Sequence, residues 1–242
     1  TIGGIQVSHK GKETVCIRTK KVYDWVTRQV DVPLISLNNG ELDEAFVCKL
    51  RGTGNFCDLL AENDIDVDTL SVNCFLSDAH GNRIDPKVDH KALLCQEIKQ
   101  PGGRHDVDVT LPNGDEITLQ KVKVLVKGHV VVELVDAVGN VVCRTCPIQW
   151  ATAQTFILCA PEGTKLSCHI SFFECDASLI CTDEFNQLDV SIVLCLEVQM
   201  EANVKLEIEA RICRPREEIL EAVLCPVEKF PPQCPEIFPS TH

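Results

Sequence analysis

Cysteine is the residue type in this chain with the most chemistry to offer. Fifteen of the 242 residues are cysteines, about 6%, just under the ~8–10% of a small disulfide scaffold. A chain this long buries a core without covalent staples, so the thiols call for another explanation. Their number is odd, so at least one is free or pairs between chains.

Spacing narrows the chemistry. Cys143-Arg144-Thr145-Cys146 has the C-x-x-C spacing of half a zinc site or of a redox dithiol. A structural zinc site needs a second ligand pair, another C-x-x-C or an H-x-x-x-H, and the sequence holds neither. A thioredoxin-like dithiol opens a helix in an α/β fold, whereas this one sits in β-type sequence and is followed by Pro147. Structural thiols are the reading left, with Cys143 and Cys146 as disulfide candidates. Asp64-Ile65-Asp66-Val67-Asp68 has a calcium-like look but lacks the glycine and distant glutamate of a calcium loop, so a solvated edge is the competing reading. The expectation is no metal and no cofactor. Motifs for a serine nucleophile, a zinc protease, a phosphate loop or a dinucleotide are missing. Gly52-Thr53-Gly54 reads as a loop. With seven histidines and fifteen cysteines, a neighbouring pair such as Cys168-His169 carries little information, although a cysteine nucleophile needs such a base. An enzyme is not expected.

The elements that carry the cysteines are strands. From Leu188 to Ile212 the even positions are apolar and the odd positions mostly polar or charged, the mark of strands with one buried and one wet face. Two long strands are expected there, with a turn near Glu201-Ala202-Asn203; a helix over Glu201–Arg211 is the alternative. Further strands are expected at Glu13–Thr19, Thr69–Leu76, Glu116–Val126, His129–Val135, Thr155–Ala160 and Lys165–Phe173. Pro112-Asn113-Gly114-Asp115 signals a hairpin, because Asn-Gly accepts positive φ angles.

Phase sorts the thiols. Cys195 and Cys213 fall on the polar phase, and Cys16 lies opposite Val15 and Ile17. Outward cysteines on a strand are hard to explain as packing and are placed to meet another surface. Cys225 and Cys234 lie in the Pro-rich stretch 225–242, read as an extended arm, because proline disfavours helix and central strand. Cys16, Cys195, Cys213, Cys225 and Cys234 are therefore the candidates for bonds between subunits. Cys74 and Cys168 share phase with apolar neighbours and read as free cysteines acting as small hydrophobes.

Ser77-Asp78-Ala79-His80-Gly81-Asn82-Arg83-Ile84 is echoed by Val135-Asp136-Ala137-Val138-Gly139-Asn140-Val141-Val142. One turn chemistry used twice explains this; a duplicated β-domain is the sharper alternative. The expected fold is all-β, an antiparallel sandwich or jelly-roll-like, as one extended or two β-domains. Its divisions are an N-terminal β region 1–100, a C-terminal β domain 101–224 and the tail 225–242, with Gln100-Pro101-Gly102-Gly103-Arg104 as a plausible linker.

Composition excludes some partners. Apolar residues are 45% and charged residues 24%, with a net charge of −13, which argues for a globular chain and against nucleic acid or an anionic membrane. No apolar run approaches the ~20 residues of a spanning helix. The first residue is Thr1 rather than Met, so loss of preceding residues is expected; no signal peptide is visible.

The run Val15-Cys16-Ile17-Arg18-Thr19-Lys20-Lys21-Val22-Tyr23-Asp24-Trp25-Val26, with Leu188-Asp189-Val190-Ser191-Ile192-Val193-Leu194-Cys195-Leu196-Glu197-Val198, resembles cysteine-rich spore-surface proteins of spore-forming Firmicutes: exosporium, coat and endospore-appendage components. The likeness is one of style over most of the chain, with no diagnostic site motif. It implies a structural role: self-assembly into a disulfide-reinforced lattice or fibre on the spore surface, with copies of itself and other spore-surface proteins as partners. It also implies synthesis in a reducing mother cell and later oxidation. A monomeric secreted or surface binding module with intrachain disulfides is the rival reading.

Overall fold

The structure is a computed structural model that describes residues 13–89, 93–182 and 184–210. Cys213 and the expected Pro-rich arm 225–242, with Cys225 and Cys234, lie outside the described residues. Ten strands dominate the described residues: β1 (Glu13–Asn38), β2 (Phe46–Cys48), β3 (Ser71–Ser77), β4 (Leu94–Glu97), β5 (His105–Thr110), β6 (Glu116–Val135), β7 (Val141–Thr145), β8 (Ile148–Leu158), β9 (Lys165–Cys181) and β10 (Asn186–Ala210). Two short helices, α1 (Gly40–Ala45) and α2 (Phe56–Glu62), lie between β1 and β3. The fold is all-β and antiparallel.

By compactness the chain divides into Val22–Ala202 and a second unit of Thr1–Lys21 with Asn203–His242. Of the second unit, residues 13–21 and 203–210 are described, and both are strand. The expected break near residue 100 is not a boundary of this kind, because β3 and β4 precede it and pair with β6, which follows it.

Within Val22–Ala202, β1, β10 and β9 form a first sheet in that order. The second sheet has seven strands around β6. β6 pairs with β5, β4 and β3 in succession along one side, and with β8 and β7 along the other. Strand alternation explains how the two sheets meet. On β10, Leu188, Val190, Ile192, Leu194, Leu196, Val198 and Met200 are all buried, as are Val122, Val124, Val126, Val130, Val132 and Leu134 on β6. These rows share one apolar cluster. Burial of a side chain of this size contributes roughly 1.5–3 kcal/mol.

Three features differ from the sequence reading. β6 runs unbroken through Gly128, where two strands were expected. Gly128 sits in the buried phase, and a Cβ there would lie 2.6 Å from Cζ2 of Trp150; the glycine makes room for the indole instead of turning the chain. β10 runs through Glu201-Ala202-Asn203 as one strand to Ala210. That triplet has neither Gly nor Pro to stop it, and residues 201–210 are strand, not the alternative helix. β1 extends from the expected short segment to Asn38.

The echoed octapeptides form the same turn twice. Asp78 Oδ1 accepts from the backbone N–H groups of His80 and Asn82, both at 2.8 Å. Asp136 Oδ1 accepts from those of Val138 and Asn140 at 2.9 and 2.8 Å. Gly81 and Gly139 take φ of 84° and 92°, the left-handed position that ends such turns. Hydrogen bonds from Asn82 and Asn140 lead the effects holding these carboxyls below the usual carboxylate range. The hairpin at Pro112-Asn113-Gly114 closes through Gly114 N–H donating to Leu111 O at 2.9 Å. Only Gly114 there has positive φ, so Pro112 takes the first corner of a type I turn.

Candidate functional site

Eight of the described cysteines form four disulfides: Cys48–Cys143, Cys57–Cys181, Cys74–Cys175 and Cys95–Cys168. Three of the four start from β9. That strand lies along β3 and β4 of the other sheet, and Cys74 and Cys95 reach across to it. Cys74 and Cys168, expected as free apolar thiols, are therefore bonded. Their inward phase is what allows it, because an inward cysteine on one sheet faces the other sheet. Cys143 is bonded to Cys48, its directly opposite residue on β2, and Cys146 carries a free, exposed thiol. The C-x-x-C cysteines thus have different fates. β7 ends between them, at Thr145, and places only Cys143 in the ladder.

A β-bulge aligns the β9 cysteines. Leu196 pairs with Ile170 but Cys195 pairs with Phe172, leaving Ser171 as the extra residue. A bulge of this kind reverses the faces of everything beyond it. Ile170 points inward on the even phase, and Phe173, Cys175, Ala177 and Leu179 pack on the core from the odd phase. Cys168 and Cys175, seven residues apart, can thereby both face the second sheet.

The opposite seam of the sandwich is closed without sulfur. β8 pairs only with β6 among the described residues, and β1 side chains cover its outer edge. The Arg28 guanidinium donates to Thr155 O at 2.9 Å and lies 4.2 Å from the Phe156 ring centroid. The Cys159 N–H donates to Asp24 Oδ2 at 2.9 Å. Charged groups on edge atoms blunt a strand that would otherwise template another chain.

Four described cysteines are free: Cys16, Cys146, Cys159 and Cys195. Cys195 stands on the outer face of the first sheet, between the buried Leu194 and Leu196 and opposite Phe172. Cys16 is half-buried on the β1 part of the smaller unit. Sequence reasoning missed Cys159, which lies between the buried Leu158 and Ala160. It continues the outward phase of Thr155 and Ile157, so the rule that picked out Cys195 applies to it too. No group of His, Cys, Asp or Glu among the described residues is arranged to hold a metal ion. Asp66 instead caps the short turn Val67–Thr69 through Asp68 N–H.

The two outer faces carry opposite charge. On the first sheet the outward register sets Glu197 by His169, Val193 by Glu174, Ser191 by Asp176 and Asp189 by Ser178. The only lysine on this face of β9 and β10 within Val22–Ala202 is Lys165, opposite Glu201. On the second sheet the outward phase of β6 carries Lys121, Lys123, Lys127 and His129 and, at its far end beyond the buried Val131, one acidic residue, Glu133, which pairs with Arg144. Its outward neighbours are His105 and Val107 on β5, Leu94 and Gln96 on β4, and Gln149, Ala151, Ala153, Thr155 and Ile157 on β8. Comparison with protein-family models, with curated proteins and with solved structures found no match.

Proposed function

We propose that this protein is a structural subunit that assembles with copies of itself into a disulfide-reinforced lattice or fibre on the surface of bacterial spores. Other spore-surface proteins are further partners, and the chain is not an enzyme. The observation that carries this reading is the disposition of the thiols. With the core already stapled by four disulfides, Cys195 and Cys159 still stand on outward phases and Cys146 is exposed. Packing does not call for a thiol there, whereas bonding to another chain does. A bond between chains makes dissociation a chemical step rather than a thermal one, which suits a resistant coat.

Negative-stain electron microscopy of the purified chain, with and without reductant, tests the reading. Ordered sheets or filaments are expected, weakened by reductant. Dispersed particles in both samples would replace it with the second reading, a monomeric surface module. That alternative is favoured by the same four intrachain bonds, which stabilise a chain that must stand alone in an oxidising place.

A further inference from the structure

We propose that copies of the chain stack face to back: the acidic outer face of the β1–β10–β9 sheet of one copy seats on the lysine-bearing outer face of the β6-centred sheet of the next, and a Cys195–Cys159 disulfide seals the pair. The inference rests on the self-assembly reading above and names the surface that performs it.

Charge is the first argument. In a chain of net charge −13, Lys121, Lys123 and Lys127 stand in one row on β6 with no carboxylate among them. Glu174, Asp176, Asp189 and Glu197 stand on the first sheet's outer face. Two copies of one face repel, whereas unlike faces attract and fix orientation.

Each face also carries apolar groups to bury. Trp25 and Phe172 are 62% and 47% exposed on the first sheet's outer face; Leu94 and Ile157 are 45% and 37% exposed on the second. Size fits as well. A face about 15 residues long at ~3.3 Å per residue, and three strands wide at ~4.8 Å, offers roughly 700 Å². A standard interface buries about 600–1,000 Å² per partner. Different patches meeting in this way make a heterologous contact, which propagates into a filament unless it closes into a ring.

One free thiol stands with each face: Cys195 in the middle of the first, Cys159 at the end of β8 beside the second. Sealing is an oxidation. Two thiols lose two protons and two electrons as the S–S bond forms, and a disulfide oxidant such as oxidised glutathione takes them up to give two reduced thiols.

The test uses the full chain, reduced mildly and then exposed to oxidised glutathione. Non-reducing gels read the polymer and peptide mass spectrometry reads the bonds. A Cys159–Cys195 cross-linked peptide is expected. The triple variant Lys121→Glu, Lys123→Glu, Lys127→Glu is expected to lower the yield of high-mass species at least roughly tenfold. Adding Glu174→Lys, Asp176→Lys and Glu197→Lys to that same chain swaps both faces and is expected to restore assembly. Circular dichroism and the four intrachain bonds serve as controls of folding. Ordered polymer bonded instead through Cys16, Cys146, Cys213, Cys225, Cys234 or a Cys195–Cys195 pair would overturn the stacking and leave the structural role standing. A folded swapped chain that does not assemble would do the same. Wild-type chain that stays monomeric with the oxidant, as it would if these faces serve a different protein, would overturn both.

Discussion

At the scale of single residues, Gly128 and the turn aspartates show how far one position reaches. Gly128 is surrounded: beyond the Trp150 ring, Leu93 Cδ2 lies 2.7 Å from where a Cβ would stand. Gly128→Ala forces two packed side chains to move and is expected to cost about 1–3 kcal/mol. That lowers Tm by roughly 3–10 °C in thermal melts of the oxidised chain. An unchanged Tm would mean the indole has room that the structure does not show. Asp78 and Asp136 are ionised in the fold at lower pH than in the unfolded chain. Their contribution is therefore present above the ordinary carboxylate value of about 4 and fades as pH falls through their depressed values. The double variant Asp78→Ala, Asp136→Ala should be less stable at pH 7 and should lose less than the wild type between pH 5 and pH 2, both pH values being roughly placed by that ordinary range. Denaturant titrations at the two pH values decide this, and parallel losses would count against the turns.

At the scale of elements, the bulge at Ser171 decides which cysteines can meet. Deleting Ser171 restores strict alternation along β9 and turns Cys175 and Cys181 away from Cys74 and Cys57. The deletion variant is expected to expose four additional thiols on titration, with Cys95–Cys168 retained. Preservation of all four bonds would mean that the strand recovers its register elsewhere. This element also marks where the sequence stops being legible. Alternation alone names the buried row of β10, the outward place of Cys195 and the inward places of Cys74 and Cys168. It does not tell an inward free thiol from half of a disulfide, because that depends on what the opposite sheet presents. Nor does any residue type announce Ser171 as the extra one, since a bulge is a property of two strands in register. The same limit applies to Gly128, where a strand interior and a turn call for the same residue. The row Lys121, Lys123, Lys127 could be read directly from the sequence. Its meaning needed the opposite face.

At the scale of the whole molecule, charge acts at two ranges. The net −13 repels copies at a distance, while in the proposed stack the unlike faces attract on contact. Screening shortens from about 30 Å at 0.01 M salt to about 8 Å at 0.15 M and about 3 Å at 1 M. Assembly followed by light scattering is therefore expected to quicken between the first two conditions and slow again toward the third. A rate indifferent to salt would remove charge from the account. Covalent closure of the sandwich works at this scale too. Cys74–Cys175 spans 101 residues, and Cys74→Ser with Cys175→Ser is expected to cost about 2–5 kcal/mol. Denaturant unfolding of the otherwise oxidised chain measures it.

The bonds from β9 are nested along the chain: Cys95–Cys168 lies inside Cys74–Cys175, which lies inside Cys57–Cys181. Once the innermost is made, the path between Cys74 and Cys175 shrinks from 101 residues to about 28, and closing it costs about 1 kcal/mol less. The next path then shrinks from 124 residues to about 23, easing closure by about 1.5 kcal/mol. The easing is mutual, so each bond of the nest favours the others, and the shorter 73-residue loop gives Cys95–Cys168 a lead of about 0.3 kcal/mol over Cys74–Cys175. Under the proposed assembly, this mutual support would let the chain close its own interior while Cys159 and Cys195 are still unbonded.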